Sequence, residues 1–175
     1  EMCIRDRPVV KEVLGPDAES VALAWRFPGV SDKDFEILQV VSQVLYNGKA
    51  GLIDLDLNQQ QKVLNSYGYP MGLADYSAFI LGGLPKQGQT LEEVKDLLLN
   101  EIKKLRAGEF DEKMLQANIN NFKLYELQSM ESNEGRADIF VNSFINGTNW
   151  EDEVTAIDRM AKPVSYTHLT LPTTE

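Results

Sequence analysis

The feature that most constrains this chain is a switch of hydrophobic period near its start. Val21, Leu23, Trp25 and Phe27 alternate with Ala22, Ala24 and Arg26. A period of two puts the large apolar side chains on one face of a strand and the small residues and the cation on the other. Pro28-Gly29 ends that run. Ser31 and Asp34 then have the spacing of a helix-start capping box. After them Phe35, Leu38, Val41 and Leu45 recur every three or four residues, and Ile37, Val40 and Val44 widen the stripe. This is an amphipathic helix, stopped by Asn47-Gly48. The short Pro-Gly connection lets the helix fold back on the strand, so Trp25 is expected to face the stripe of Phe35, Leu38, Val41 and Leu45. A strand covered by the helix that follows it commits the chain to layered packing of helices on a sheet.

The remaining pattern extends that layout. A second helix is expected from about 50 to 64, with Leu52, Ile53, Leu57 and Leu64 available to the core and residues 58–62 exposed. Two strands follow, around 66–73 and 76–84, separated by a tight turn at Ala74-Asp75. Pro70 marks the first of them as an edge strand or a bulged one, because proline cannot donate to a ladder. Thr90-Leu91-Glu92-Glu93 is a capping box, Val94, Leu97, Leu98, Ile102 and Leu105 form the next helical stripe, and Gly108 closes it. Asp111 caps a long helix to about Glu131, and two more helices are expected at about 134–146 and 150–161. The predicted fold is α+β: a two-layer domain with a largely antiparallel sheet and helices packed on one face.

Composition narrows the functional classes. The chain has 175 residues and a net charge of −10. A surface this acidic repels phosphate backbones, so no nucleic-acid role is expected. No apolar run reaches the roughly 20 residues of a membrane span, and no leader is apparent. There is one Cys, Cys3, and one His, His168. Both fall in end segments, 1–7 and 164–175, whose patterns continue neither neighbour. These ends resemble translated sequencing-adapter read-through. They are expected to be non-native extensions around a domain spanning 8–163 that is cut short at its C-terminal end.

Between Pro8 and Pro163 the sequence has no His and no Cys. Zinc held by imidazoles or thiolates and a Ser–His–Asp relay therefore lack their residues, and neither a catalytic nor a metal-ligating residue is assigned. Asp54 and Asp56 lack the spaced acidic loop of a calcium site and are expected on a solvated helix face. Asn47-Gly48-Lys49-Ala50 has the Gly-Lys of a phosphate loop without its flanking Gly and Ser/Thr. Glu92-Glu93, Glu151 and Glu153 lie in first helical turns, where the helix dipole stabilises negative charge. Asn146-Gly147-Thr148 is both a glycosylation sequon and a helix C-cap.

Several strings in order carry a family resemblance. They are Ala22-Leu23-Ala24-Trp25-Arg26-Phe27-Pro28-Gly29, then residues 34–45, then Lys49-Ala50-Gly51-Leu52-Ile53, then Gly88-Gln89-Thr90-Leu91-Glu92-Glu93-Val94, and Leu105 to Asp111 opening a long helix. Together, over about 8–163, they resemble the inactive-type domain of the peptidase M16 family (pitrilysin, insulinase and the mitochondrial processing peptidase), in particular the long-chain bacterial members. The resemblance implies a non-catalytic chamber-wall and substrate-binding domain of a zinc metalloendopeptidase. The zinc belongs to a preceding catalytic domain of the parent, and this chain carries no cofactor. The partners it implies are other M16 domains of the same chain and peptide substrates, in the periplasm or cytoplasm of a bacterium. In many relatives an Arg and a Tyr near the end of the second helix position substrate. Here Tyr67 falls near the Tyr position, as the candidate substrate-binding residue, and the Arg is absent from 60–69. Tyr67 and Tyr69 also read simply as strand residues filling a sheet face. Two alternatives stand beside this reading: a catalytically dead, peptidase-like scaffold subunit that acts by association, and a stand-alone α+β binding protein.

Overall fold

The computed structural model describes residues 8–160, so the expectations for 1–7 and 164–175 lie outside the described residues. The first strand, β1, spans Val21–Pro28, and helix α1 spans Lys33–Leu45. A π-helical turn covers Asp54–Asn58. Strands β2 (Asn65–Met71) and β3 (Tyr76–Leu84) follow, then helices α2 (Leu91–Ala107), α3 (Glu112–Glu131), α4 (Asn133–Asn146) and α5 (Trp150–Met160). The three strands form one antiparallel sheet in the order β1-β3-β2. This is the α+β class, with helices on one side of the sheet.

The alternation in β1 performs the sorting its period demands. Val21, Leu23, Trp25 and Phe27 turn toward the helices and pack on the core, while Ala22, Ala24 and Arg26 are exposed. The centre of that core is Phe79 and Leu81 of β3, Leu38, Val41, Val44 and Leu45 of α1, and Val94, Leu98, Ile102 and Leu105 of α2. Trp25 stacks on Phe79 with ring centroids 6.3 Å apart. Helices α1 and α2 cover the strands, and α3, α4 and α5 gather mainly on α1 and on one another. Arg159 of α5 fastens to Glu36 of α1, with its Nε donating to both carboxylate oxygens at 3.1 and 3.2 Å. The outer helices leave much apolar surface uncovered: Phe144 is 88% exposed, and Tyr125, Leu127, Val141 and Ile145 are also exposed.

Pro70 lies on an edge strand, one of the two outcomes its chemistry allowed. Ser66, in the same phase of β2, turns its N–H away from β3 to the side chain of Asn58, 2.8 Å away. Pro70 points outward likewise, so its missing N–H costs no ladder bond. The capping box of α2 forms as expected, with Thr90 N–H donating to Glu93 and Glu93 N–H donating to Thr90 Oγ1. Gly108 and Gly147 end α2 and α4 with left-handed φ of 72° and 66°.

Three sequence expectations are corrected. Asp32, not Ser31, caps α1, because its carboxylate accepts from Asp34 N–H at 2.9 Å. The second helix does not run to Leu64. It widens into the π turn, with Gln59 N–H reaching Asp54 C=O, and Gln61 takes a positive φ of 51°. Beyond Leu57 the polar residues 58–62 offer nothing to bury, and a short helix without a packed face does not propagate. The reversal sends Val63 into the core and leaves Leu64 66% exposed, so Leu64 is not a core residue. Asp54 is not on a solvated face either. It is only 5% exposed, and its Oδ2 accepts the N–H groups of Asn47 and Gly51, both at 3.0 Å. Asn47 Oδ1 accepts from Lys49 and Ala50 N–H at 3.0 and 2.8 Å, so Asp54 and Asn47 together hold the turn that ends α1.

Candidate functional site

The face of the sheet turned away from the helices is built from the other half of each strand's alternation. The register aligns Ala22 with Gly82 and Tyr67, Ala24 with Ile80 and Tyr69, and Arg26 with Ala78 and Met71. Opposed residues share a face, so these rows lie side by side. The β1 side of the face is low because Ala22 and Ala24 are small, as is Ala78 beside Arg26, while Ile80 stands in the middle row and the Tyr67 ring covers Gly82. The β2 side stands higher, with Tyr67, Tyr69 and Met71. At the β3 end Tyr76 rises beside Arg26, whose guanidinium carbon lies 4.6 Å from the ring centroid. The result is a shallow apolar trough with an aromatic flank and one cation. Tyr69 is 47% exposed and Met71 and Tyr76 each 41%.

Tyr67, the one candidate taken from the sequence, sits on this face. Its ring lies across Gly82: a Cβ there would meet Tyr67 Cζ at 2.2 Å, so the glycine is what lets the ring settle on the backbone. The ring also stacks on Tyr69, with centroids 6.1 Å apart. Tyr67 is thus half-buried, and Tyr69 presents more of its surface. The face also gathers Tyr76, Met71 and Ile80, which the sequence analysis did not single out. Their common phase was visible in the alternation. Which residues lie opposite one another was not, because that depends on the four-residue connection 72–75. Gly29 packs against the Ala74 carbonyl in that connection, and Val30 N–H bonds Leu73 C=O at 3.1 Å.

Two other polar places are built differently. Lys104 of α2 bridges Asp56 of the π turn at 2.6 Å and Glu101 at 2.8 Å. The Lys104 hydrogen bond holds the Asp56 carboxyl below its ordinary range. Burial pushes Glu101 up, and the opposing pull of Lys104 does not cancel it. The cluster clamps the turn to α2. Between α1, α3, α4 and α5 lies an open cleft of about 360 Å³, lined by apolar residues such as Phe122, Ile139 and Ile157 together with Glu126 and Glu153. Burial raises Glu126 in it.

The donor set does not suit zinc. Residues 8–160 contain neither His nor Cys, and among the described residues no group of three or more His, Cys, Asp or Glu is placed to hold a metal ion. Among the same residues no helix is long and apolar enough to cross a membrane.

Comparison with known proteins gives these likenesses a common source. The profile of the peptidase M16 inactive domain matches residues 4–122. A protease from Helicobacter pylori superposes with a TM-score of 0.77 at 20% identity, over 86% of this chain and 36% of that one. The inactive peptidase domain of a protein named as a zinc protease from Bordetella parapertussis gives a TM-score of 0.69 at 14% identity, covering 90% of this chain and 86% of that one. A protein of similar name from Bordetella pertussis gives 0.70 at 15%, over 89% and 85%. At these identities the superpositions establish the fold. This chain spans about a third of the Helicobacter protein's length. No curated protein sequence matches it.

Proposed function

The chain belongs to the peptidase M16 family as one of its inactive-type domains, and on that premise we propose that it forms a wall of the chamber of a zinc metalloendopeptidase and binds peptide substrate there. The observation that carries this reading is the uncovered sheet face. Sheet faces are ordinarily buried or polar, whereas this one presents Tyr69, Met71, Tyr76 and Ile80 beside Arg26. Aromatic side chains with a polar tip suit peptide contact, because they offer large area at little conformational cost. The domain contributes surface and not chemistry: its residues offer no zinc ligands, and the ion belongs to a catalytic domain elsewhere in the parent. The apolar surface of α3 and α4 supports a second part of the reading, that the helical side packs against other domains of the parent chain.

The test is a titration of the chain with short unstructured peptides, followed by amide chemical shifts. Saturable changes are expected on 22–26, 67–71 and 76–82 and not on α4, with no peptide cleaved whether or not zinc is added. Shift changes confined to the helices, or none at all, would overturn the substrate-binding part. Zinc-dependent cleavage by the chain, with a contaminant control, would overturn the non-catalytic part.

A further inference from the structure

We propose that Arg26 is the specificity-determining residue of this face, and that the peptide it selects is an extended segment with one acidic side chain and apolar side chains two and four residues away. The proposal rests on the reading of the face as a peptide-binding surface. Among the described residues, the strand positions of this face carry a single charge. Every aligned position in its rows (Ala22, Gly82, Tyr67, Ala24, Ile80, Tyr69, Ala78, Met71) is uncharged, and Arg26 stands at one end of them. Among the described residues Arg26 has no ion-pair partner. Its recorded contact is the Tyr76 ring at 4.6 Å, which positions the guanidinium and leaves its N–H donors unspent.

The spacing sets the pattern of the ligand. An extended peptide presents alternate side chains on one face about 7 Å apart. That is also the distance between successive rows of this sheet, since each row is two residues further along the strands. A segment lying along the strands with its carboxylate at the Arg26 row therefore sets its next two same-side residues over the Ala24–Ile80–Tyr69 row and the Ala22–Gly82–Tyr67 row. Both rows are apolar, and Ala24 and Ala22 leave room on the β1 side for those side chains, beside Ile80 and the tyrosine flank.

Charge decides between ligand classes. The chain as a whole carries −10, which repels a polyanion. Surface charges beyond about 8 Å are largely screened at physiological salt, so a single carboxylate in contact with Arg26 is governed by that contact. A planar guanidinium pairs a carboxylate through two parallel N–H donors. A lysine in the same place faces like charge.

The experiment uses the full 175-residue chain and three peptides acetylated and amidated at their ends, so that no terminal carboxylate contributes. Each alternates Leu with Ser and differs only in a final Glu, Gln or Lys. Dissociation constants come from the amide shift titration. Binding is expected in the order Glu, Gln, Lys, with about tenfold between Glu and Gln, the scale of a charged hydrogen-bonded contact. Arg26→Gln should bring the Glu and Gln peptides level, and Arg26→Glu should reverse the order in favour of Lys. Tyr69→Ala should weaken all three alike and keep the preference. Equal binding of Glu and Gln peptides by the unaltered chain, or a Glu preference that survives Arg26→Glu, overturns the assignment while leaving the face a peptide-binding surface. Binding of none of the three removes both.

Discussion

Truncating neighbouring residues of β1 should have opposite consequences, because the strand divides its side chains between a packed layer and an open one. Phe79 of the central strand is wholly buried and touches the core from the middle of the sheet. Replacing a buried aromatic by alanine costs about 3–5 kcal/mol, and Phe79→Ala belongs in the upper part of that range, about 4 kcal/mol. Trp25 stacks on Phe79 from β1 but keeps part of its surface in solvent. Losing a half-buried indole removes fewer contacts and leaves a cavity open to water, so Trp25→Ala should cost about 2–3 kcal/mol. Arg26 points to the other face and contributes one exposed cation–π contact, worth about 0.5–1 kcal/mol. Against a typical domain stability of about 5–15 kcal/mol, the first two changes are large and the third is minor. Urea titration followed by far-ultraviolet circular dichroism measures all three without relying on tryptophan emission. The midpoints should fall in the order Arg26→Ala, Trp25→Ala, Phe79→Ala, with the slope unchanged. If Arg26→Ala proves as damaging as Trp25→Ala, β1 is not sorted as described and the argument from its alternation fails.

Three further outcomes are expected. Alanine at Gly83 places a Cβ 2.5 Å from Val94 Cγ1 between sheet and α2, and at Gly82 places one under the movable end of the Tyr67 ring. Thermal melts should therefore show a loss of about 1–3 kcal/mol for Gly83→Ala and less than about 1 kcal/mol for Gly82→Ala, whose effect should appear in the Tyr67 ring resonances. Asp54→Ala leaves the N–H groups of Asn47 and Gly51 without their acceptor in a buried turn, at a cost of about 2–3 kcal/mol, and amide exchange in 46–58 should accelerate while α2 stays protected. Glu101 has a folded-state pKa raised by burial above its ordinary 4.5, so its contribution to stability is greatest below that value and is lost as pH rises through the folded pKa. Asp56, lowered from 3.8, has the opposite sign and acts only at more acid pH. Urea midpoints of Glu101→Gln relative to the unaltered chain should thus improve as pH rises above 4.5. A difference that stays constant, or grows in the acid direction, refutes the assignment.

The sequence was most readable where one residue type forces one conformation and where burial enforces a period. The alternation of β1, the stripe of α1, the box at Thr90 and the glycines at 108 and 147 all became the elements their chemistry required. Residues 50–64 were misread because the polar run 58–62 separates Leu57 from Val63 and breaks the helical stripe, and the interactions that shape this stretch come from elsewhere: the Asp54 carboxylate on backbone N–H groups and the Asn58 amide on β2. Asp32 displaced Ser31 as the cap by a single position, a distinction the backbone makes and composition does not. At the candidate site, the phase of Tyr67 and Arg26 was visible in the strands, while the rows they belong to needed a strand order the sequence does not spell out. Tyr67 was singled out through resemblance and Tyr69 as its companion on a sheet face; Tyr76, Met71 and Ile80 emerged only when β3 was found between β1 and β2.

That strand order has a consequence for how the molecule assembles. The central strand is the last of the three along the chain, and Val21 must find Gly83 across the whole of α1 and the π turn. The β2–β3 hairpin closes over four residues and forms early, whereas the pairing of β1 bears the loop-closure entropy of the intervening segment. During synthesis β1 and α1 leave the ribosome before either partner strand exists. Until β3 arrives, Trp25 and Phe27 have only the stripe of α1 to cover them, so the early life of this domain is that of a strand held by its own helix. The sheet is completed when the hairpin slides beneath both.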